Sequence, residues 1–294
     1  MRRVAMESHN KPNVRDFRHH PRDWRGFLYV YPVVSRRSRG ISIGVNLNPD
    51  RACNFDCIYC QVDRTGTPRV RHVDVDVLRH ELDTLLAAAV DGRLLAEPEF
   101  ADTPEHLRRL NDVAFSGDGE PTTCPVFAEA VQLAADLKRE RCPDQVKMIL
   151  ITDACYLTRP NVIAGLRIMD RSNGEIWAKL DAGTEEYYQI INRPNFPLSH
   201  VIENIVSAAR IRPVTIQSLF MRVHGRPPPD EEIIAFTDRL NEMRTAGARL
   251  DLIQIYTVAR PPAQECVTSL SREELDAISR TVKQRTSLPV QSYC

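Results

Sequence analysis

Apolar positions along this chain follow two periods that alternate. Short, nearly continuous apolar runs of strand length recur at Ile41–Leu47, Asp112–Gly117, Val146–Thr152, Glu175–Gly183, Val214–Phe220 and Leu250–Val258. Runs of this kind suit strands buried on both faces of a parallel sheet. Between them the period becomes helical. Val75, Leu78, Leu82, Leu85 and Leu86 share one face of a helix over Asp74–Val90 that Gly92 closes. Further helices are predicted over Val126–Leu137, near Pro160–Ile168, from a Ser199 cap to Arg210, and through Ile233, Phe236, Leu240 and Met243 with Gly247 past the end. Ser271 and Glu274 form a capping-box pattern ahead of Leu275, Ile278 and Val282. Thr103-Pro104 reads as a helix cap and first helical residue.

Six strands, each followed by a helical segment, imply parallel strands joined by right-handed crossovers. A closed eight-stranded barrel needs two more units, so the fold class is α/β, either an open doubly wound sheet or a partial barrel. In both, function gathers at the carboxyl ends of the strands.

Composition narrows the picture. The chain has 294 residues, with 39 basic and 39 acidic side chains, and no formal net charge to point to a nucleic-acid partner. Basic residues do dominate locally: ten Lys and Arg against three acidic residues between Met1 and Arg39. Residues 1–32 are expected to form a basic arm, 33–288 the folded domain and 289–294 a tail. No run approaches the roughly 20 apolar residues of a membrane span, and the start lacks a signal-peptide core. The chain is expected to be cytoplasmic and to make no membrane contact, with its cysteines reduced and free for metal or catalytic use.

Three of the eight cysteines, Cys53, Cys57 and Cys60, lie in a polar C-x3-C-x2-C segment directly after the first predicted strand. Thiolates bind zinc or iron–sulfur clusters. Structural zinc favours a second C-x2-C pair, and none exists, although His72 could supply a fourth ligand. A [4Fe–4S] cluster on three cysteines leaves one iron open, and an open coordination site is where chemistry occurs. Cys124, Cys142, Cys155, Cys266 and Cys294 are isolated and read first as packing residues.

C-x3-C-x2-C with Tyr59 before the last cysteine resembles the signature of the radical S-adenosylmethionine (SAM) enzymes. The resemblance implies a partial (β/α)6 TIM-like barrel. It also implies a cluster whose open iron is chelated by SAM, and reductive cleavage of SAM to a 5′-deoxyadenosyl radical that abstracts hydrogen from a substrate. An external electron donor such as flavodoxin or ferredoxin is implied as well. Gly117-Asp118-Gly119-Glu120-Pro121, after the second strand, resembles the family's Gly-Gly-Glu-Pro turn, which meets the methionyl ammonium. Asp118 is the departure. Gly117 and Gly119, lacking Cβ, are expected to let a ligand approach the backbone. Lys179 and Asp181 end the fourth strand where the family places groups for the SAM carboxylate and ribose. Gln217 and Gln254 interrupt apolar strands and need polar partners, which a ligand-lined interior supplies. Thr152 and Asp153 could line the same mouth.

"SRRSRGISIGVNLNP", "GEPT", "KLDAG", "NRP", "TIQSLFMR" and "QIYTVARPP" are similar to one branch, the iron–sulfur oxidoreductases grouped with wyosine-forming tRNA enzymes, over about Val33 to Leu288. Those tRNA enzymes use a second cluster on further N-terminal cysteines, and no cysteine precedes Cys53 here. The substrate stays open between a small molecule, a protein and RNA. A glycyl-radical activase and a tRNA-base-modifying enzyme are alternatives within the class. A non-catalytic, metal-stabilised binding protein is the alternative outside it.

Overall fold

The computed structural model describes residues 24–64, 67–68, 70–260, 262 and 264–294; the basic arm up to residue 23 and part of the Thr65–Pro68 turn lie outside them. Ten strands occur among the described residues: β1 Val30–Ser35, β2 Gly40–Val45, β3 Leu110–Phe115, β4 Lys147–Thr152, β5 Gly174–Lys179, β6 Val214–Leu219, β7 Arg222–Val223, β8 Leu250–Tyr256, β9 Val267–Thr268 and β10 Val290–Tyr293. The helices are α1 Val75–Val90, α2 Phe127–Arg141, α3 Pro160–Asp170, α4 Glu185–Asn192, α5 Leu198–Ile211, α6 Asp230–Thr245 and α7 Arg272–Thr286.

Eight strands form one sheet in the order β1-β2-β3-β4-β5-β6-β8-β10. All pairs are parallel except β1–β2. Chain order matches spatial order because each helix returns the chain to the next strand with the same hand. The sheet curls into a partial TIM-like barrel around the six predicted strands. β1 and β10 are its unpaired ends, and Arg37, in the turn joining β1 to β2, crosses that gap to stack 4.8 Å over the Tyr256 ring of β8.

Both ends of the sheet extend past the expected domain limits. β1 begins at Val30, and Trp24, Tyr29, Val30 and Tyr31 are buried, so the segment before residue 33 is not all arm. β10 occupies most of the expected tail. A buried carboxylate holds β1 in place: Glu81 on α1 accepts the backbone N–H groups of Leu28 (2.7 Å), Tyr29 (2.9 Å) and Val30 (3.2 Å).

Local signals mostly hold. The Ser271–Glu274 capping box is present, and Asp74 caps α1 by accepting from Asp76 and Val77. Two do not. Ser199 lies inside α5, whose cap is Pro197, and Pro104 precedes only a three-residue 3-10 turn, Glu105–Leu107. No helix among the described residues is long and apolar enough to cross a membrane.

Candidate active site at the mouth of the barrel

The loop after β2 carries the three cysteines across the carboxyl end of the sheet. It is held from two sides. On one side it packs against the glycine-rich turn after β3. A Cβ on Gly119 would run into the carbonyl oxygen of Ala52 and sit 2.8 Å from Asn48, and a Cβ on Gly117 would run into the side chain of Asn46. Both glycines are therefore required by the packing of turn against loop, while their backbone lines the cavity described below. Asn46 completes this contact: its Oδ1 accepts from the Asp118 backbone (3.1 Å) and its Nδ2 donates to the Asp118 carboxylate (2.8 Å).

On the other side the loop rests on the end of α4 and the Asn192-Arg193-Pro194 stretch. Asp56 and Ile58 donate backbone hydrogen bonds to the Asn192 and Ile191 carbonyls, at 3.2 and 2.9 Å, and Phe55 forms a bridge with Pro194. Arg193 takes a left-handed conformation (φ 44°) to turn the chain there. Past Cys60, Gln61 donates to the Arg260 carbonyl at 2.9 Å, tying the loop to the segment after β8.

One cavity of about 350 Å³ opens beneath this loop and runs into the barrel. Cys53, Cys57, Cys60, Tyr59, Gly117, Asp118, Gly119, Glu120, Lys179 and Gln217 all line it, as do Thr152 and Asp153. Its volume lies in the range of small-molecule sites. Ala114, Ile149, Ile151 and Trp177 form an apolar wall inside the barrel. Asp112 and Ser42 lie deeper, where the Ser42 hydroxyl donates to the carboxylate. Burial pushes Asp112 up to about 6, against the hydrogen bond from Ser42.

Three expected contacts lie behind the wall. Pro121 starts a 3-10 turn under Glu120. Gln254 is buried and accepts from Gln217 Nε2 at 2.7 Å, so the two polar residues satisfy each other in part and leave Gln217 Oε1 unpartnered. Asp181, expected at the ribose, is 2 % exposed and already has four donors. The Tyr59 hydroxyl and Asn192 Nδ2 (3.1 Å) meet Oδ2, and the Leu219 N–H (2.8 Å) and Lys179 Nζ (3.2 Å) meet Oδ1. It ties the cysteine loop to β5 and β6 from behind.

Charge inside the cavity is uneven. Glu120 is buried and accepts from the Thr122 N–H (3.1 Å) and hydroxyl, the Thr152 hydroxyl (2.7 Å) and the Asp153 N–H (2.8 Å). Asp153 lies beside it, and its Oδ2 is buried without a partner. Burial raises both carboxyls, and for Asp153 the Glu120 charge adds to the rise. Such a pair keeps a proton unless a cation lies beside it. Burial works against the charge on Lys179, but Asp181 and Tyr256 outweigh it and hold the ammonium charged, with the Tyr256 hydroxyl at 2.9 Å.

The three thiols lie on one loop that lines the cavity. Burial pushes Cys53 up to about 11 and Cys57 up to about 12. A thiolate at either place needs a metal's positive charge. No three Cys, His, Asp or Glu side chains among the described residues converge on one ion, and His72 is exposed. The sulfurs of a four-iron cluster bind different irons and need not converge. Cys124 and Cys155 are buried, Cys142 and Cys266 half-buried and Cys294 exposed.

Asn46 and Asn192 escaped the site reading. The Asn-Arg-Pro stretch stood out in the sequence, but nothing local said that it met the cysteine loop.

No protein-family model matches the chain. A UPF0026 protein of Methanocaldococcus jannaschii is 24% identical over 245 residues, spanning 80% of this chain and 65% of that protein. A UPF0026 protein of Helicobacter pylori (strain J99) is 24% identical over 246 residues, spanning 83% and 70%. A GTPase Obg of Brachyspira hyodysenteriae is 21% identical over 264 residues, 88% of this chain but 34% of that protein. The chain thus spans about a third of that GTPase, and it has no G-x4-G-K-[ST] stretch to cradle a nucleotide's phosphates.

Solved structures extend the likeness. SuiB of Streptococcus suis bound to SAM superposes with a TM-score of 0.58 at 13% identity, over 88% of this chain and 52% of that one. The enzyme anSMEcpe with bound SAM gives 0.53 at 12% identity, over 85% and 63%. TYW1 with a lysine–pyruvate adduct gives 0.52 at 16% identity, over 85% and 74%. All three are radical SAM enzymes, and this chain shares their fold, a curled sheet that forms a partial TIM-like barrel.

Proposed function

We propose that the chain is a radical SAM enzyme in which Cys53, Cys57 and Cys60 hold a [4Fe–4S] cluster and SAM occupies the cavity beneath it. The observation that carries this reading is the meeting, in one cavity, of the three cysteines with the buried Glu120–Asp153 pair and its unpartnered Asp153 oxygen. The cluster, when bound, supplies one electron for reductive cleavage of SAM, giving a 5′-deoxyadenosyl radical that takes hydrogen from the substrate.

The chain's own residues prepare that chemistry. Glu120 and Asp153 offer two carboxylates to the methionyl ammonium, where desolvated charge pairs are strongest. Lys179 offers a fixed positive charge to the SAM carboxylate. Ala114, Ile149, Ile151 and Trp177 exclude water from the interior, which protects a reactive centre from side reactions. Gln217 Oε1 is left to accept a hydrogen bond from a bound molecule.

The TYW1 neighbour contains a lysine–pyruvate adduct. Lys179 is the one lysine among the described residues lining this cavity. Attack on a carbonyl needs a neutral amine, and Asp181 and Tyr256 keep Lys179 charged. The ion pair with Asp181 favours Lys179 as a charge.

The test is anaerobic reconstitution with iron and sulfide. A reduced [4Fe–4S] electron spin resonance signal that shifts on adding SAM, with dithionite-dependent 5′-deoxyadenosine, is expected; flavodoxin or ferredoxin should replace dithionite. Stoichiometric zinc with no such signal would leave a metal-stabilised binding protein instead. Metabolite and RNA-modification profiles of a strain lacking the protein, with a search for a glycyl-radical partner, divide the substrate classes.

A further inference from the structure

Asn192 closes α4 and opens the Asn-Arg-Pro stretch, to which the proposed reaction gives no task. It is 2 % exposed, and its side-chain Nδ2 lies 3.5 Å from Cys57 Sγ, 3.1 Å from the Tyr59 hydroxyl and 3.1 Å from Asp181 Oδ2. The amide cannot drift from this place. The residue's own carbonyl and that of Ile191 receive the cysteine loop's backbone N–H groups, and Asp181 anchors the side chain from behind.

We propose that Asn192 sets the reduction potential of the cluster, by donating a hydrogen bond to the sulfur of Cys57. The inference rests on the reading of Cys57 as a cluster ligand. Hydrogen bonds to cluster sulfurs are one of the protein's levers on potential. An N–H pointed at a ligating sulfur stabilises the state carrying more negative charge, so it favours the reduced cluster. Asp181, on the far side of the same amide, acts oppositely: its carboxylate near Cys57 disfavours an added electron, and Lys179 offsets it in part. Arg64 places a second N–H donor 3.6 Å from Cys60 Sγ. Each of the three cysteines thus faces a donor from the chain, the Phe55 backbone N–H at Cys53 among them, and Cys57 is the one met by a buried side-chain amide.

Asn192 acts through Cys57 and is a positioning residue. Supporting partners of metal ligands are typically worth about tenfold or more. A tenfold loss of preference for the reduced state is about 59 mV for one electron. The experiment is a redox titration of the reconstituted full chain, followed by electron spin resonance, with iron counted per chain. Asn192→Leu is expected to move the midpoint to more negative potential by about that amount. Asp181→Asn, which removes a negative charge at similar shape, is expected to move it to less negative potential. A merely structural network would lower iron content in both variants and would not shift the two midpoints in opposite directions.

Unchanged midpoints, or shifts of the same sign, overturn the proposal. If Asn192→Leu fails to hold iron, Asn192→Ser, whose shorter side chain takes the donor out of reach of the sulfur, is titrated in its place and must shift the midpoint the same way. If neither holds iron, the network builds the site and does not tune it, and the proposal falls. A wild-type chain that binds no [4Fe–4S] cluster refutes the functional reading itself, which separates the two failures.

Discussion

Glu81 offers the sharpest test of how the sheet's first edge is held. Its carboxylate is 4 % exposed and accepts three backbone N–H groups at 2.7, 2.9 and 3.2 Å. Glu81→Ala leaves those donors without an acceptor. The Leu28 N–H is only part-buried and can turn to water, whereas those of Tyr29 and Val30 are buried. Two stranded donors at about 2 kcal/mol each give a loss of about 4 kcal/mol. For a chain of this size about 2 °C is lost per kcal/mol, so Tm should fall by roughly 8 °C. Glu81→Gln keeps one acceptor oxygen, which can still meet the two buried donors that share Oε2, and should lose far less than Glu81→Ala. Amide hydrogen exchange at residues 28–30 should accelerate in Glu81→Ala well before exchange in β4 does. A Glu81→Ala protein within about 0.5 kcal/mol of wild type, the usual scatter of surface substitutions, would refute the argument.

Three further outcomes are expected. Gly119→Ala forces the glycine-rich turn away from the Ala52 carbonyl, an overpacking cost of about 1–3 kcal/mol, and iron per chain after reconstitution should fall with it; unchanged iron and Tm would contradict the packing. Glu120→Gln should weaken SAM binding about tenfold or more, as loss of a charged hydrogen-bond partner does, measured by calorimetry on the loaded protein; an unchanged Kd removes Glu120 from the ammonium site. Asp112 is raised from its ordinary 3.8 to about 6, so the folded state binds its proton more tightly and stability falls as pH rises between those values. Relative to wild type, Asp112→Asn should therefore gain stability from pH 4 to pH 7, and parallel Tm curves over that window would show that Asp112 titrates normally.

The parallel core was legible because each of its strands is an apolar run bounded by turn residues, and the order of elements left few topologies. What escaped lies at the edges. β1 reads "VYPVVS" with Pro32 inside it, and proline argues against a central strand; it is tolerated here because β1 is an edge. β10, "VQSY", is four residues with little apolar signal. α4 is eight residues, shorter than periodicity resolves. The cysteines stood out because their spacing is a ligand pattern, and the fold brings all three to one cavity. Asp181 was placed correctly at a strand end, but whether it faces the cavity or the loop behind it depends on Tyr59 and Asn192, 122 and 11 residues away along the chain. Nothing in the sequence marks Glu81, since its partners are backbone groups.

The sheet's perimeter is unequal in strength. Neighbouring strands are joined by ladders of backbone hydrogen bonds, each worth about 0.5–1.5 kcal/mol net. Between β1 and β10 no ladder exists, and the stacking of Arg37 on Tyr256 is worth about 0.5–2 kcal/mol. That seam is the least costly place to part the wall. Tyr256 also receives Lys179, so a group that draws Arg37 away from the ring would enter beside the charge proposed to meet SAM. The gap in the barrel is thus a side door, through which one residue of a larger molecule could reach the interior while the rest stays outside.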